Sequence, residues 1–228
     1  SNLINRALAQ RAYVDGELED ALYYWRLSPR EPGDLVERAM VAELLANAGE
    51  AQALPHLEAL RAFQPIEADA ILARFHWARD DATNAVTALE SAFRAYRADP
   101  WPQPPILRRA LQLAADVAEA SSAELGRRLF TALETRFAAS CENGRRLRTR
   151  LKIAEALEPA PGGELTLQAL LAFEPHVPWE EEFLQTRSAC YTQRSHPLAV
   201  RARRELEEFL RQEPPLLHVD EEEDENPE

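Results

Sequence analysis

The chain has 228 residues, of which 46% are hydrophobic and 29% are charged, values that are ordinary for a soluble globular protein. Its formal net charge of −13 argues against nucleic-acid binding, which requires a basic surface. Two cysteines are too few for a disulfide framework, and no run approaches the roughly 18 apolar residues of a membrane span. With only seven glycines and abundant Ala, Leu, Glu and Arg, the composition favours helices.

The first residues leave the localisation open, with the cytoplasm favoured. No signal peptide is visible. The sequence begins with Ser1 and Asn2 and has no initiator Met, so an N-terminal signal, anchor or domain could have been removed. The chain holds 25 arginines and one lysine, a bias that we interpret as the product of a GC-rich, bacterial genome.

A repeated helical hairpin is the main pattern of residues 1–99. Apolar and small residues recur at offsets 0, 4 and 7, which places them on one face of each second helix. These faces are Ala21-Trp25-Ser28, Ala53-Leu57-Leu60 and Ala85-Leu89-Ala92, about 32 residues apart. The first helices carry the pairs Leu8-Ala9, Val41-Ala42 and Leu72-Ala73. Turns are predicted at Gly16, Gly49 and Asp80-Asp81.

A proline-rich connection at residues 100–105 interrupts this period and is predicted to be stiff and extended. Three looser hairpins follow over residues 106–217. Their second helices carry Gly126-Phe130-Leu133, Ala169-Phe173 and Ala202-Leu206-Phe209. Residues 218–228 form an acidic tail, and seven of the nine residues 220–228 are Asp or Glu. Such a composition cannot bury apolar surface.

These residues resemble the tetratricopeptide repeat (TPR), a helix-turn-helix unit of about 34 residues. The matching residues are Leu8-Ala9, Ala12, Ala21, Trp25 and Pro32. Alanine replaces the first-helix glycine of the pattern, and its first-helix Trp and Tyr are missing. The match is good over residues 3–98 and loose over 106–214. The resemblance implies an all-α, right-handed superhelical solenoid of about six hairpins, degenerate in its C-terminal half.

A TPR-like array implies function by binding, because stacked hairpins create a concave surface lined by first helices. Groove-facing positions lie three before, one after and four after each first-helix small residue. The candidate partner-binding residues are Arg6, Gln10, Tyr13, Glu43, Arg74, Trp77, Arg148 and Glu155. Aromatic and guanidinium groups are enriched at binding hot spots. The alternative is that Tyr13 and Trp77 pack against neighbouring helices.

A basic run suggests a second surface. It comprises Arg145, Arg146, Arg148, Arg150 and Lys152, reinforced by Arg108, Arg109, Arg127 and Arg128. One hypothesis is that it accepts acidic peptides, with the chain's own tail as a ligand in cis or in trans. The alternative is a solvated helix face.

The sequence contains no catalytic, metal-binding or phosphate-binding motif. We therefore expect no intrinsic catalysis, no metal and no cofactor. The favoured function is a protein- or peptide-interaction scaffold that binds neither nucleic acid nor, through this segment, the membrane interior. Two alternatives stay open. One is a non-catalytic regulatory or assembly domain of a larger enzyme or membrane protein. The other is a self-associating module, a homo-oligomer whose acidic tail docks on a neighbour.

Overall fold

The computed structural model describes residues 2–28 and 31–212, and within these residues the chain is all-α, as predicted, with no strand. The first helices of the hairpins are α1 (Asn2–Asp15), α3 (Leu35–Asn47), α5 (Pro65–Trp77), α7 (Pro104–Ala120), α9 (Asn143–Leu157) and α11 (Glu181–Gln193). The second helices are α2 (Leu18–Arg26), α4 (Ala53–Arg61), α6 (Ala82–Tyr96), α8 (Ala123–Ala132), α10 (Glu164–Leu171) and α12 (Ala199–Gln212). A short 3-10 helix, Ser140–Glu142, precedes α9.

Each first helix packs against the second helix of its own hairpin, and successive first helices α3, α5, α7 and α9 also contact one another. These contacts between neighbours are compatible with a helical repeat. The chain divides into two compact units that meet in sequence between Ala172 and Phe173. The first unit contains α1 to α10, and the second contains α11 and α12.

The same turn closes four of the hairpins. In each, a backbone N–H after the first helix donates to the carbonyl five residues earlier, and the residue before that donor has a positive φ. The donor–acceptor pairs are Glu17–Ala12, Glu50–Leu45, Asp81–His76 and His196–Tyr191. The residues with positive φ are Gly16 (87°), Gly49 (66°), Asp80 (59°) and Ser195 (49°). This helix C-terminal motif favours glycine because glycine has no Cβ.

The predicted second-helix faces lie in the core. All nine residues of the first three faces are buried. In the later hairpins Leu206 and Phe209 are half-buried, and the others are buried. Gly126 lets α8 approach α9, since a Cβ there would lie 2.8 Å from a methyl carbon of Leu157.

The proline-rich connection is anchored on α5. The Gln103 backbone N–H donates to Glu67 Oε1 at 3.1 Å, and its side chain donates to Gln64 Oε1 at 2.7 Å. Pro104 and Pro105 already belong to α7. Trp101 is 87% exposed. The predicted acidic tail lies outside the described residues.

Candidate functional site

Four first helices meet at one buried carboxylate. Glu43 of α3 is only 1% exposed. It accepts hydrogen bonds from Tyr13 Oη of α1 at 2.7 Å and from Nε and Nη2 of Arg109 of α7 at 2.7 and 2.6 Å. Arg74 Nε of α5 lies 3.7 Å from Glu43 Oε1. The structure therefore brings together three of the predicted residues, Tyr13, Glu43 and Arg74. The fourth side chain at this site is that of Arg109.

Further contacts hold the two guanidinium groups in place. Arg109 lies over the Tyr13 ring, 4.5 Å from its centroid. Arg74 donates to Asn47 Oδ1 at 3.0 Å and to the backbone carbonyl of Arg109 at 3.3 Å. We call Tyr13, Glu43, Asn47, Arg74 and Arg109 the Glu43 network. Its members satisfy one another within the chain, as buried polar groups must.

Burial and charge set the protonation states of this network. Burial, and then the charge of Glu43, raises the pKa of Tyr13. Burial lowers the pKa of Arg74. Burial also acts to lower the pKa of Arg109, but the hydrogen bonds to Glu43 and its charge outweigh that effect and raise it. The raised pKa of Tyr13 keeps its hydroxyl a hydrogen-bond donor near neutral pH, and the raised pKa of Arg109 keeps that guanidinium charged.

Arg6 and Gln10 join α1 to a different carboxylate of α3. Arg6 forms an ion pair with Glu37, and Gln10 Nε2 donates to Glu37 Oε1 at 3.3 Å. The guanidinium of Arg6 also lies 5.3 Å from the ring centroid of Trp25. Both predicted residues therefore tie hairpins together.

The other three predicted residues are more accessible. Trp77 ends α5 and is half-buried. Arg148 is exposed on α9, and Glu155 is half-buried two turns further along that helix. Only Glu155 of these three lines a described groove.

An open groove of about 450 Å³ lies between α7 and α9. Its ionisable side chains are Asp116 and Glu119 of α7 and Lys152 and Glu155 of α9. Asp116 accepts a hydrogen bond from Gln112 at 2.8 Å, and its charge also acts on Arg74 of the Glu43 network. Within residues 2–28 and 31–212, the side chains of Glu119 and Lys152 form no hydrogen bond or ion pair. We call this the α7–α9 groove.

The sequence patterns did not indicate Asp116 and Glu119, and they placed Lys152 and Arg109 in the basic run rather than in the groove or the Glu43 network. Lys152 occupies the groove-facing position between Arg148 and Glu155, so the fifth-hairpin register contains the signal for it. Asp116 and Glu119 lie one turn apart on α7, and the sequence pattern predicts no groove-facing position in that hairpin. Arg109 reaches Glu43 from the first turns of α7, a contact between residues 66 positions apart that no single-helix pattern contains.

Much of the predicted basic run is engaged within the chain. Arg146 and Arg150, together with Arg97, donate to carbonyls at the C-terminal end of α8. The acceptors are the backbone oxygens of Phe130, Ala132, Leu133 and Glu134. Cations stabilise the negative end of a helix and satisfy its free carbonyls. Burial, reinforced by neighbouring arginines, lowers the pKa of Arg146 to about 10.

Glu142 forms ion pairs with two more arginines of that run, Arg108 and Arg145. This carboxylate is 2% exposed and accepts a 2.7 Å hydrogen bond from Arg108 Nη2. Arg145 Nε lies 3.6 Å from its second oxygen. Both arginines are therefore engaged by an internal carboxylate, and their side chains remain 47% and 59% exposed.

The second unit has a buried ionic cluster of its own. Arg187 of α11 is fully buried and donates to Glu174 at 2.7 Å and to Glu205 of α12 at 2.6 Å. Tyr191 Oη donates to Glu174 at 3.1 Å, and Arg201 donates to Glu205 at 2.7 Å. Burial acts to raise the pKa of Glu205, but the hydrogen bonds to Arg201 and Arg187 outweigh it and lower that pKa.

In comparisons with known proteins, no family model, curated protein or solved structure matches the chain. In the described part of the chain, no cluster of three His, Cys, Asp or Glu side chains could hold a metal ion. None of the helices in that part is long and apolar enough to cross a membrane.

Proposed function

We propose that the chain is a non-catalytic protein- or peptide-interaction module that binds its partner at the α7–α9 groove. The observation that carries the proposal is a contrast along the first helices. On α1, α3, α5 and α7, the five side chains of the Glu43 network are paired with one another. In the groove, Glu119 and Lys152 have no partner among the residues that the structure describes. The TPR-like pattern supports the use of first helices for binding.

The charges of the groove favour a basic partner segment. Asp116, Glu119 and Glu155 supply three carboxylates against the single ammonium of Lys152. A lysine or arginine of the partner would pair with this acidic surface, and complementary charge would raise the rate of encounter. The shape is an open groove of about 450 Å³ and accommodates side chains of a peptide more readily than it encloses a small molecule.

Selection of displayed random peptides on the full chain tests this proposal. We expect the selected peptides to share a Lys or Arg, and their dissociation constants are then measured by fluorescence anisotropy. The double variant Asp116→Asn and Glu119→Gln should weaken binding by about tenfold or more, since it removes two rim charges that face the ligand. Binding should also weaken as salt is added.

A matched control replaces two exposed acids of second helices, Asp20→Asn and Glu58→Gln. It carries the same change in net charge and should bind selected peptides like the parent chain. The proposal is wrong if selected peptides bind the groove variant and the parent equally well, or if selection enriches no common basic feature.

A further inference from the structure

A second groove lies on the second-helix side of the first unit, between α6 and α8. It measures about 530 Å³ and is lined by four arginines and two glutamates. These side chains are Arg94, Arg97, Arg127, Arg128, Glu90 and Glu124. The groove thus has a positive excess on a chain whose formal net charge is −13. We call it the α6–α8 groove.

Two of the four arginines already have internal partners. Arg128 donates to both carboxylate oxygens of Glu90, at 3.0 and 2.7 Å. Arg97 donates to the backbone carbonyl of Ala132 at 2.9 Å. Arg128 is therefore engaged by a carboxylate and Arg97 by a backbone carbonyl, while Arg97 Nε is buried and has no hydrogen-bond partner among the described residues.

The other two arginines are exposed and unpaired. The side chains of Arg94 and Arg127 make no hydrogen bond or ion pair with residues 2–28 and 31–212. They contrast with Arg74, Arg109 and Arg146, each of which is held by acceptors of the chain. Like charges that line one groove repel each other, so a bound anion would stabilise the arrangement.

The chain itself contains a segment with matching charge. Residues 220–228 contain seven Asp or Glu among nine residues. Carboxylates suit arginine because two parallel N–H groups of the guanidinium can donate to both oxygens. No other stretch of the sequence concentrates acids to this degree.

We propose that the α6–α8 groove binds the acidic segment 220–228 of a second copy of the chain. Carboxylates of the segment pair with Arg94 and Arg127, and Arg97 and Arg128 contribute to the positive field around it. If two copies exchange segments reciprocally, each groove is filled once and the assembly closes as a symmetric dimer.

The mass of the full chain in solution tests this association. Sedimentation velocity across a concentration series at low salt should show a species heavier than the 25.8 kDa monomer. High salt should dissociate it, since the Debye length falls from about 30 Å at 0.01 M to about 3 Å at 1 M. Monomer at every concentration would overturn the proposal, as would an association that salt does not weaken.

Two sets of variants locate the contact. The double variant Arg94→Glu and Arg127→Glu reverses the free charges of the groove, and E221Q/E222Q/E223Q neutralises part of the segment. Each should raise the dissociation constant at least about tenfold. The control Arg203→Glu and Arg204→Glu carries the same change in charge on exposed positions of α12 and should still associate. Loss of association in the segment variant alone would place the contact elsewhere and overturn the groove assignment.

Mixing two variants with reversed charges shows whether association depends on the match between groove and segment or only on the net charge of the chain. The groove variant should not associate with itself, but it should associate with a chain carrying E221K/E222K/E223K, since the two charge reversals then match. Circular dichroism checks that both variants remain helical, and R94Q/R127Q replaces the groove variant if it does not. A mixture that stays monomeric, while the parent chain associates, would contradict the proposal.

Discussion

Neutralising Glu43 should destabilise the first unit more than any comparable change at a surface ion pair. Glu43→Gln keeps the size of the side chain but leaves the Arg109 and Arg74 guanidinium groups without their carboxylate. Hydrogen bonds to charged groups contribute about 1.5–3 kcal/mol each, and removing one partner of a buried pair costs about 3–5 kcal/mol. The amide oxygen of the new side chain still accepts from Tyr13. We therefore expect the free energy of unfolding to fall by about 3 kcal/mol.

Glu90 provides the matched control, because both of its carboxylate oxygens also accept hydrogen bonds from one arginine, Arg128. The Glu90 and Arg128 side chains are 25% and 33% exposed, against 2% and 16% for Glu43 and Arg109. Exposed pairs contribute about 0–1 kcal/mol, so Glu90→Gln should cost less than about 1 kcal/mol. Urea denaturation followed by circular dichroism measures both values. If Glu43→Gln costs no more than Glu90→Gln, then the Glu43 network does not stabilise the stack of first helices.

Four further substitutions test the turns, the ionic cluster of the second unit and the α8–α9 contact. Asp80→Gly should stabilise the chain by about 0.5 kcal/mol in urea denaturation, since Asp80 has φ 59°. The neighbouring Asp81→Ala should cost about 1 kcal/mol because Asp81 caps α6. The lowered pKa of Glu205 means that its stabilisation is complete above the unfolded-state pKa near 4.5 and is lost as the pH falls through the folded-state pKa. Hydrogen exchange of α11 and α12, corrected for intrinsic pH dependence, should therefore show that Glu205→Gln opens these helices at pH 7 and makes no difference in strong acid. Gly126→Ala should cost about 1 kcal/mol, because overpacking against Leu157 outweighs the gain in helix propensity. In a Leu157→Ala background the same change should become neutral or stabilising.

Local rules explain why much of the helical arrangement is predictable from the sequence. Apolar residues at offsets 0, 4 and 7 must share a helix face, and Ala21, Leu57 and Leu89 are all buried on theirs. Gly16 and Gly49 were predictable turns because a positive φ favours glycine. The equivalent turn at Ser195 was not predictable in the same way, because serine has no intrinsic preference for that conformation.

The candidate site was predictable only in part, because its geometry depends on packing between hairpins. Helical register identified Tyr13, Glu43 and Arg74 as side chains of one face, and the structure places all three in one network. It did not identify Arg109, whose contact with Glu43 depends on how four helices stack. Small rotations at each helix interface accumulate along the stack, and no pattern within one helix records them.

Whether a charged side chain is available to a partner depends on the acceptors that folding brings to it. Arg109 and Arg94 are both arginines on helices of the same unit, yet one is held by a buried carboxylate and the other has no partner in the described part of the chain. Binding through Arg109 would first require its bond to Glu43 to break, at a cost of several kcal/mol. Arg94 carries no such cost. For this reason the unpaired charges of the α7–α9 and α6–α8 grooves are better candidates for recognition than the buried residues that the repeat pattern singles out.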